Sequence, residues 1–326
     1  VKNSNLMRDF LAVLLLSWLI EFLYMGFKGV FEGTLLSLLE ISLSFDNAVM
    51  NALVLSGMSP LWRRRFLTWG ILFAVFGMRF LFPVLIVSIT AGINPVNVVN
   101  MAITAPEVYS KYLKSAHPVI LAFGGSFLFM VFINWLFNAG REIHWIDFLE
   151  KKASRIARLG EVKLILALAT VLAVSYLKGG HSVTLAMVLG VLLFEVVSFV
   201  RSAVELFKGE AGLASFVYLE LLDASCSLDG AIGAFAISQN LVIITIGLSV
   251  GAVILRTLTL VFVESGKLQK LRYLEHGAHW GIGGLGVMML MQLFFHIPET
   301  AVSAVALVFI VSSLYSSVRR TMVFPG

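Results

Sequence analysis

Charge and sulfur are what this chain has least of. Only 13% of its 326 residues are Asp, Glu, Lys or Arg, and there is a single cysteine, Cys226. One cysteine excludes an internal disulfide and a thiolate metal cluster, and Cys226 reads as a small packing residue. So little charge, beside 59% apolar residues and a mean hydropathy of +0.94, excludes an ordinary soluble domain and points to a lipid bilayer. The formal net charge of +5 makes no case for nucleic acid, because the basic residues stand where membrane topology would put them.

Long hydrophobic runs fill the sequence instead. Windows of about 19 residues find ten stretches able to cross roughly 30 Å of hydrocarbon as helices. They fall near 10–27, 33–55, 67–89, 118–139, 162–177, 182–200, 213–238, 241–263, 278–296 and 299–317. The first has a basic lead (Lys2, Arg8) like a signal peptide. It is longer than a signal core, carries Glu21 and lacks an A-x-A cleavage site, so it is expected to be retained. With the N-terminus inside, the inner tails and loops hold 18 Lys and Arg, whereas the outer loops hold only Lys28, Lys111, Lys114 and Lys178. That asymmetry predicts cytoplasmic N- and C-termini. Arg79 and Arg256 fall inside spans.

The sequence repeats itself. "EISLSFDNA" at 40–48 and "DASCSLDGA" at 223–231 place acids and serines at identical offsets. Each is followed by a span with one arginine, Arg79 or Arg256. Then comes an Ala-His pair ending in His117 or His279, and then a glycine-rich span. The motif spans are the second and seventh, an odd number apart, so the halves run in opposite directions through the membrane. Such inverted repeats are a recurring plan of secondary transporters. The expected fold is therefore all-α, a polytopic membrane protein of about ten transmembrane helices in two inverted five-helix repeats. Residues 1–140 hold spans 1–4, and 162–326 hold span 5 and the second repeat. Residues 141–161 form an amphipathic linker with Ile143, Ile146, Leu149, Ala153, Ile156 and Leu159 on one side, read either as an anionic-lipid contact or as a solvated connection. Spans 5 and 10, free of acids in their cores, read as peripheral.

A carboxylate at the bilayer centre costs at least about 2.5–3.5 kcal/mol, so one found there points to function. The candidates are Glu40 and Asp46 in the first motif and Glu220, Asp223 and Asp229 around the second, with Ser44, Asn47 and Ser227 as further donors. On an unbroken helix Glu40 and Ser44 share one stripe and Ser42 and Asp46 another, about 200° away. Either the helix faces two neighbours, or it is interrupted and exposes backbone carbonyls to a cavity. An all-oxygen set without Cys or His suits hard cations: Mn²⁺, Mg²⁺ or Ca²⁺. Arg79 and Arg256 read as charge-balancing groups or structural ion pairs. His117 and His279, placed at span ends, read as gates, proton relays or interfacial residues. Glu21 and Glu195 form a weaker symmetric pair, and Glu107 reads as a loop residue.

"LLEISLSFDNAVMNALVL", with its basic stretch and intramembrane arginine, resembles the TerC-type integral membrane protein superfamily. "ELLDASCSLDGAIGAFAI" followed by "YLEHGAHWGIG" is similar to its long two-repeat branch. The resemblance implies an inner-membrane exporter related to the LysE-like proteins, associated with tellurium resistance and in several members with manganese efflux, with Asp46 and Asp229 matching the motif acids. The sequence expectation is thus export of a divalent cation, Mn²⁺ ahead of Ca²⁺ and Mg²⁺, by alternating access, with protons as a candidate counter-ion. No enzyme activity and no organic cofactor are expected, the partners are the ion and the bilayer, and oligomeric state is left open. Two other readings stand beside it. One is a non-transporting membrane partner in metal stress or in metal supply to secreted proteins. The other is an intramembrane aspartyl hydrolase, disfavoured because Cys-Ser-Leu rather than a Gly-x-Gly segment precedes Asp229.

Overall fold

The computed structural model describes residues 3–157, 161–206, 212–238, 240–265 and 271–323, whose regular structure is all helical with no strand among them. The helices are α1 (Asn3–Leu43), α2 (Phe45–Ser56), α3 (Pro60–Leu72), a π-helical segment (Phe73–Leu81), α4 (Phe82–Ala91), α5 (Pro95–Thr104) and α6 (Pro106–Leu136). After these come α7 (Asp147–Ile156), α8 (Val162–Lys178), α9 (His181–Leu206), α10 (Gly212–Ile237), α11 (Leu241–Ser265), α12 (Leu274–Gln292) and α13 (Glu299–Val323). Among the described residues, five helical stretches are long and apolar enough to cross a membrane: Leu11–Leu43, Pro60–Ala91, Pro106–Leu136, His181–Val200 and Leu241–Glu264. Exposed apolar side chains line them and α8 and α13 as well, among them Leu23, Phe27, Ile89, Leu172, Tyr176, Phe199 and Val308. Surfaces of that kind are stable only against lipid or a partner.

Local chemistry sets the helix ends. Pro60 and Pro95 open α3 and α5 at the position where a missing N–H costs nothing. Asn94 caps α5 by accepting from the Val96 N–H at 2.9 Å, and Asn240 caps α11 through the Val242 N–H at 3.0 Å. Gly92 closes α4 in the left-handed region, at φ 66°. Within α1, Gly26 stands at φ 65°, ψ −154°, a conformation essentially reserved for glycine. There the helix turns back on itself. Trp18 Nε1–H donates to Thr34 Oγ1 at 3.1 Å, although a straight helix would hold those residues about 24 Å apart. The long first stretch is thus an antiparallel helix pair, whose second arm ends at Leu43, short of the 33–55 expected for the second span.

The chain divides into two compact units that interleave its halves. One comprises Val1–Ala48, Met58–His117 and Cys226–Val261, and the other Val49–Gly57, Pro118–Ser225 and Phe262–Gly326. Glycine sets the helix approaches in both. In the first unit, Ser37 Oγ–H donates to the Gly247 carbonyl at 2.8 Å. A side chain on Gly247 would meet Gly33 O at 2.8 Å, and one on Gly251 would meet Ser37 O at 2.8 Å. Residue numbers rise together along both helices, so the second arm of α1 and α11 run parallel. In the second unit α6 and α12 cross antiparallel. A Cβ on Gly125 would lie 3.2 Å from Gly286 O, and one on Gly286 would lie 3.1 Å from Gly125 O. Ser126 Oγ–H donates to the Met187 carbonyl at 3.0 Å, and Phe127 meets Phe194 edge-on, so α6 and α9 are parallel.

Candidate metal-binding site

The first motif begins where α1 gives way. Its second arm ends at Leu43, Ser44 forms a bend and α2 starts at Phe45. The backbone ladder bends rather than breaks: the Ser44 N–H reaches Glu40 O at 3.0 Å, and the Ala48 N–H reaches Ser44 O at a long 3.4 Å. The second motif shows no such bend, since α10 is continuous from Gly212 to Ile237. The interruption weighed from the sequence is therefore present in one motif and only as a bend. Proline is absent there, and serine can bend a helix through hydrogen bonds of its own.

Glu40 is 2% exposed and accepts from Ser44 Oγ–H at 3.2 Å. Asn47, three residues after Ser44, is also 2% exposed, and its amide nitrogen has no hydrogen-bond partner among the described residues. Ser42 is exposed, as the 200° offset requires. The Glu40 side chain packs directly on Gly251 of α11, where a Cβ would stand 2.6 Å from its own. Further along, Thr259 Oγ1 shares its proton between Leu255 O at 2.9 Å and Ala48 O at 3.2 Å. That second bond serves a carbonyl just past the bend. Arg256, also on α11 and buried, donates from Nη1 to Phe66 O at 3.3 Å and lies 4.2 Å over the Phe66 ring. These two contacts hold α11 to α3.

Glu220 is buried and Asp223 half-buried on α10, three residues apart and therefore on one face. The side chains of Asp46, Ser227, Asp229 and Arg79 lie outside the described residues. Their backbones put Asp46 in the first turn of α2, Ser227 and Asp229 inside α10, and Arg79 in the π-helical segment. Among the described residues no three or more His, Cys, Asp or Glu side chains gather closely enough to hold a metal ion. His117 lies within α6, eleven residues from its start, because that helix begins at Pro106 and takes Glu107, read as a loop residue, into its first turn. His279 is near the start of α12, stacked on Trp135 with ring centres 4.7 Å apart.

A further buried polar cluster among the described residues is one the sequence reading did not single out. Glu150 of α7 has no exposed surface. It accepts from Trp280 Nε1–H at 2.9 Å, from the backbone N–H groups of Trp145 at 2.9 Å and Ile146 at 3.4 Å, and from His276 Nδ1 at 2.9 Å. Trp135 covers His276 edge-on, and the Arg141 guanidinium lies 3.7 Å over Trp135. Burial alone would raise the Glu150 carboxyl. The bonds from His276, Trp280 and Trp145 outweigh it and bring the group down to about 2. These contacts also fix the rotation of α7, which buries Glu150 and Ala153 and leaves Phe148 and Leu149 exposed. The apolar stripe read from the spacing is thus only partly the face that docks. The missed signal was "EHGAHW", an acid, two histidines and a tryptophan spaced along one helix.

Residues 45–323 match the family described as "Protein of unknown function (DUF475)". The chain belongs to the DUF475 family. Neither the curated proteins nor the solved structures contain a match to it. The match begins inside the first motif and runs to the end of α13, so it takes in α2 onward and both motif acids, Asp46 and Asp229.

Proposed function

We propose that this DUF475 protein exports a divalent metal cation, Mn²⁺ before Ca²⁺ or Mg²⁺, by alternating access around carboxylates held within the membrane. The observation that carries the reading is Glu40: a buried carboxylate in an apolar stretch, bonded to Ser44 at a helix bend and pressed against Gly251. A charge there is costly unless it has work to do, and the nearby donors are oxygens suited to hard cations. Asp46 opens the next helix, and Glu220, Asp223 and Asp229 are the counterparts in α10.

Helix directions support the ten-span, inverted-repeat plan. Spans 2 and 8 run parallel, as do 4 and 6, while 4 and 9 run antiparallel, which is the parity that ten crossings demand. The reciprocal approach of Gly125 and Gly286 suits a two-fold axis between the fourth and ninth spans, since these occupy corresponding places in the two halves. The π-helical turn around Arg79 supplies a deformable element of the kind found at functional sites.

The test is flux. Purified protein in liposomes loaded with a metal-sensitive dye is expected to pass Mn²⁺, with Glu40→Gln, Asp46→Asn and Asp229→Asn each abolishing the signal. Unchanged flux in all three variants ends the proposed site. A folded protein passing no divalent ion favours the non-transporting partner.

A further inference from the structure

A second polar feature lies away from the motif carboxylates. A cavity of about 690 Å³ opens where α6 ends and α8 begins, walled by Asn134, Phe137, Glu161, Lys163, Glu195 and Ser198 among others. That volume is within the range of about 300–1,000 Å³ usual for small-molecule sites. Lys163 Nζ donates to Asn134 Oδ1 at 2.8 Å, which fixes the ammonium at the rim. Glu195 sits on α9 among Leu192, Val196 and Phe199, all exposed. It makes no ion pair or hydrogen bond with any described residue. A lone carboxylate on an apolar, lipid-facing surface requires a cationic partner.

We propose that this cavity holds the headgroup of a phospholipid carrying both a phosphate and a primary ammonium. The ammonium would bond to Glu195 and the phosphate to Lys163, with the Asn134 amide beside them. The acyl chains would follow the exposed Ile165, Leu168 and Leu172 of α8 down the membrane face. Two features select this ligand. The Lys163 ammonium gives a phosphate its partner, and the Glu195 and Glu161 charges repel a purely anionic headgroup and favour an ammonium, whereas a zwitterion satisfies both signs. A quaternary ammonium lacks the N–H donors that a carboxylate partner favours.

The full-length protein in detergent is titrated separately with phosphatidylethanolamine, phosphatidylglycerol, phosphatidylcholine and MnCl₂. Thermal melting reports stabilisation, and native mass spectrometry counts retained lipid. Phosphatidylethanolamine is expected to raise the melting temperature and to be retained. Glu195→Gln and Lys163→Gln should each weaken its binding about tenfold without shifting the lipid-free melting temperature. Both side chains are solvent-accessible, so neither change removes core packing. Equal stabilisation by phosphatidylglycerol or phosphatidylcholine, or unchanged phosphatidylethanolamine binding in both variants, overturns the proposal. So does a Mn²⁺ response lost with Glu195→Gln, which would make the cavity a cation vestibule. None of these readouts involves flux, so the transport reading stands or falls separately.

Discussion

Glu150 shows how one residue can organise a surface element. A carboxylate bonded to two side-chain donors and two backbone N–H groups favours its ionised form, and that preference is a contribution to stability. Because the folded value, about 2, lies below the ordinary carboxylate value of 4.5, the contribution is complete above the unfolded value and disappears as pH falls through the folded one. Melting of the wild type in detergent is therefore expected to lose stability between about pH 4.5 and 2. Glu150→Gln should flatten that acid limb and cost about 2–4 kcal/mol at neutral pH, since an amide leaves part of the donor set unpaired. Hydrogen exchange in 147–156 should rise in the same variant. An acid limb identical in both proteins would mean that other carboxylates control it. The sequence hid this residue because Glu150 stands in a polar segment that reads as solvated. Only the fold brings "EHGAHW" of α12 against it.

At the scale of elements, helix approach is decided by glycine more than by hydrophobicity, as expected where lipid is as apolar as the side chains. At Gly251 a methyl group would stand 2.6 Å from Glu40 Cβ and 2.8 Å from Ser37 O, neither of which can swing away. Gly251→Ala should therefore force α11 off the motif helix, cost about 1–3 kcal/mol and lower the melting temperature. Gly57→Ala is the control, because its nearest neighbour would be Val54 O at 3.5 Å. That change should stay within about 0.5 kcal/mol. Equal effects at the two positions would show that tight packing at Gly251 is not what joins α11 to the motif. The helices were legible from the sequence because apolar runs of this length can only be helical in lipid. The Ser44 bend was legible as one of two options, through the conflicting stripes of Glu40 and Asp46. The position of the first turn, at Gly26, and the helical start of α6 at Pro106 were not. Hydropathy marks where apolar residues are, whereas positive φ and helix N-termini depend on single residues such as Gly26 and Pro106.

For the whole molecule the informative quantity is direction. Charge distribution and helix packing are independent signals. The first counts lysines and arginines outside the spans, and the second follows contacts such as Ser37 with Gly247 and Gly125 with Gly286 inside them. Both require an odd number of crossings between the second and eighth spans and an even number between the fourth and ninth. Substituted cysteines can test this, because Cys226 is the only native thiol to remove. In a Cys226→Ser background, Arg64→Cys, Lys151→Cys and Arg272→Cys should all react with a membrane-impermeant maleimide from one side. Lys28→Cys, Lys111→Cys and Lys178→Cys should react only from the other. The pair Lys111 and Lys151 is decisive for α6, which must cross once between them. Reaction of both from the same side would remove that crossing and, with it, α6 as a membrane span.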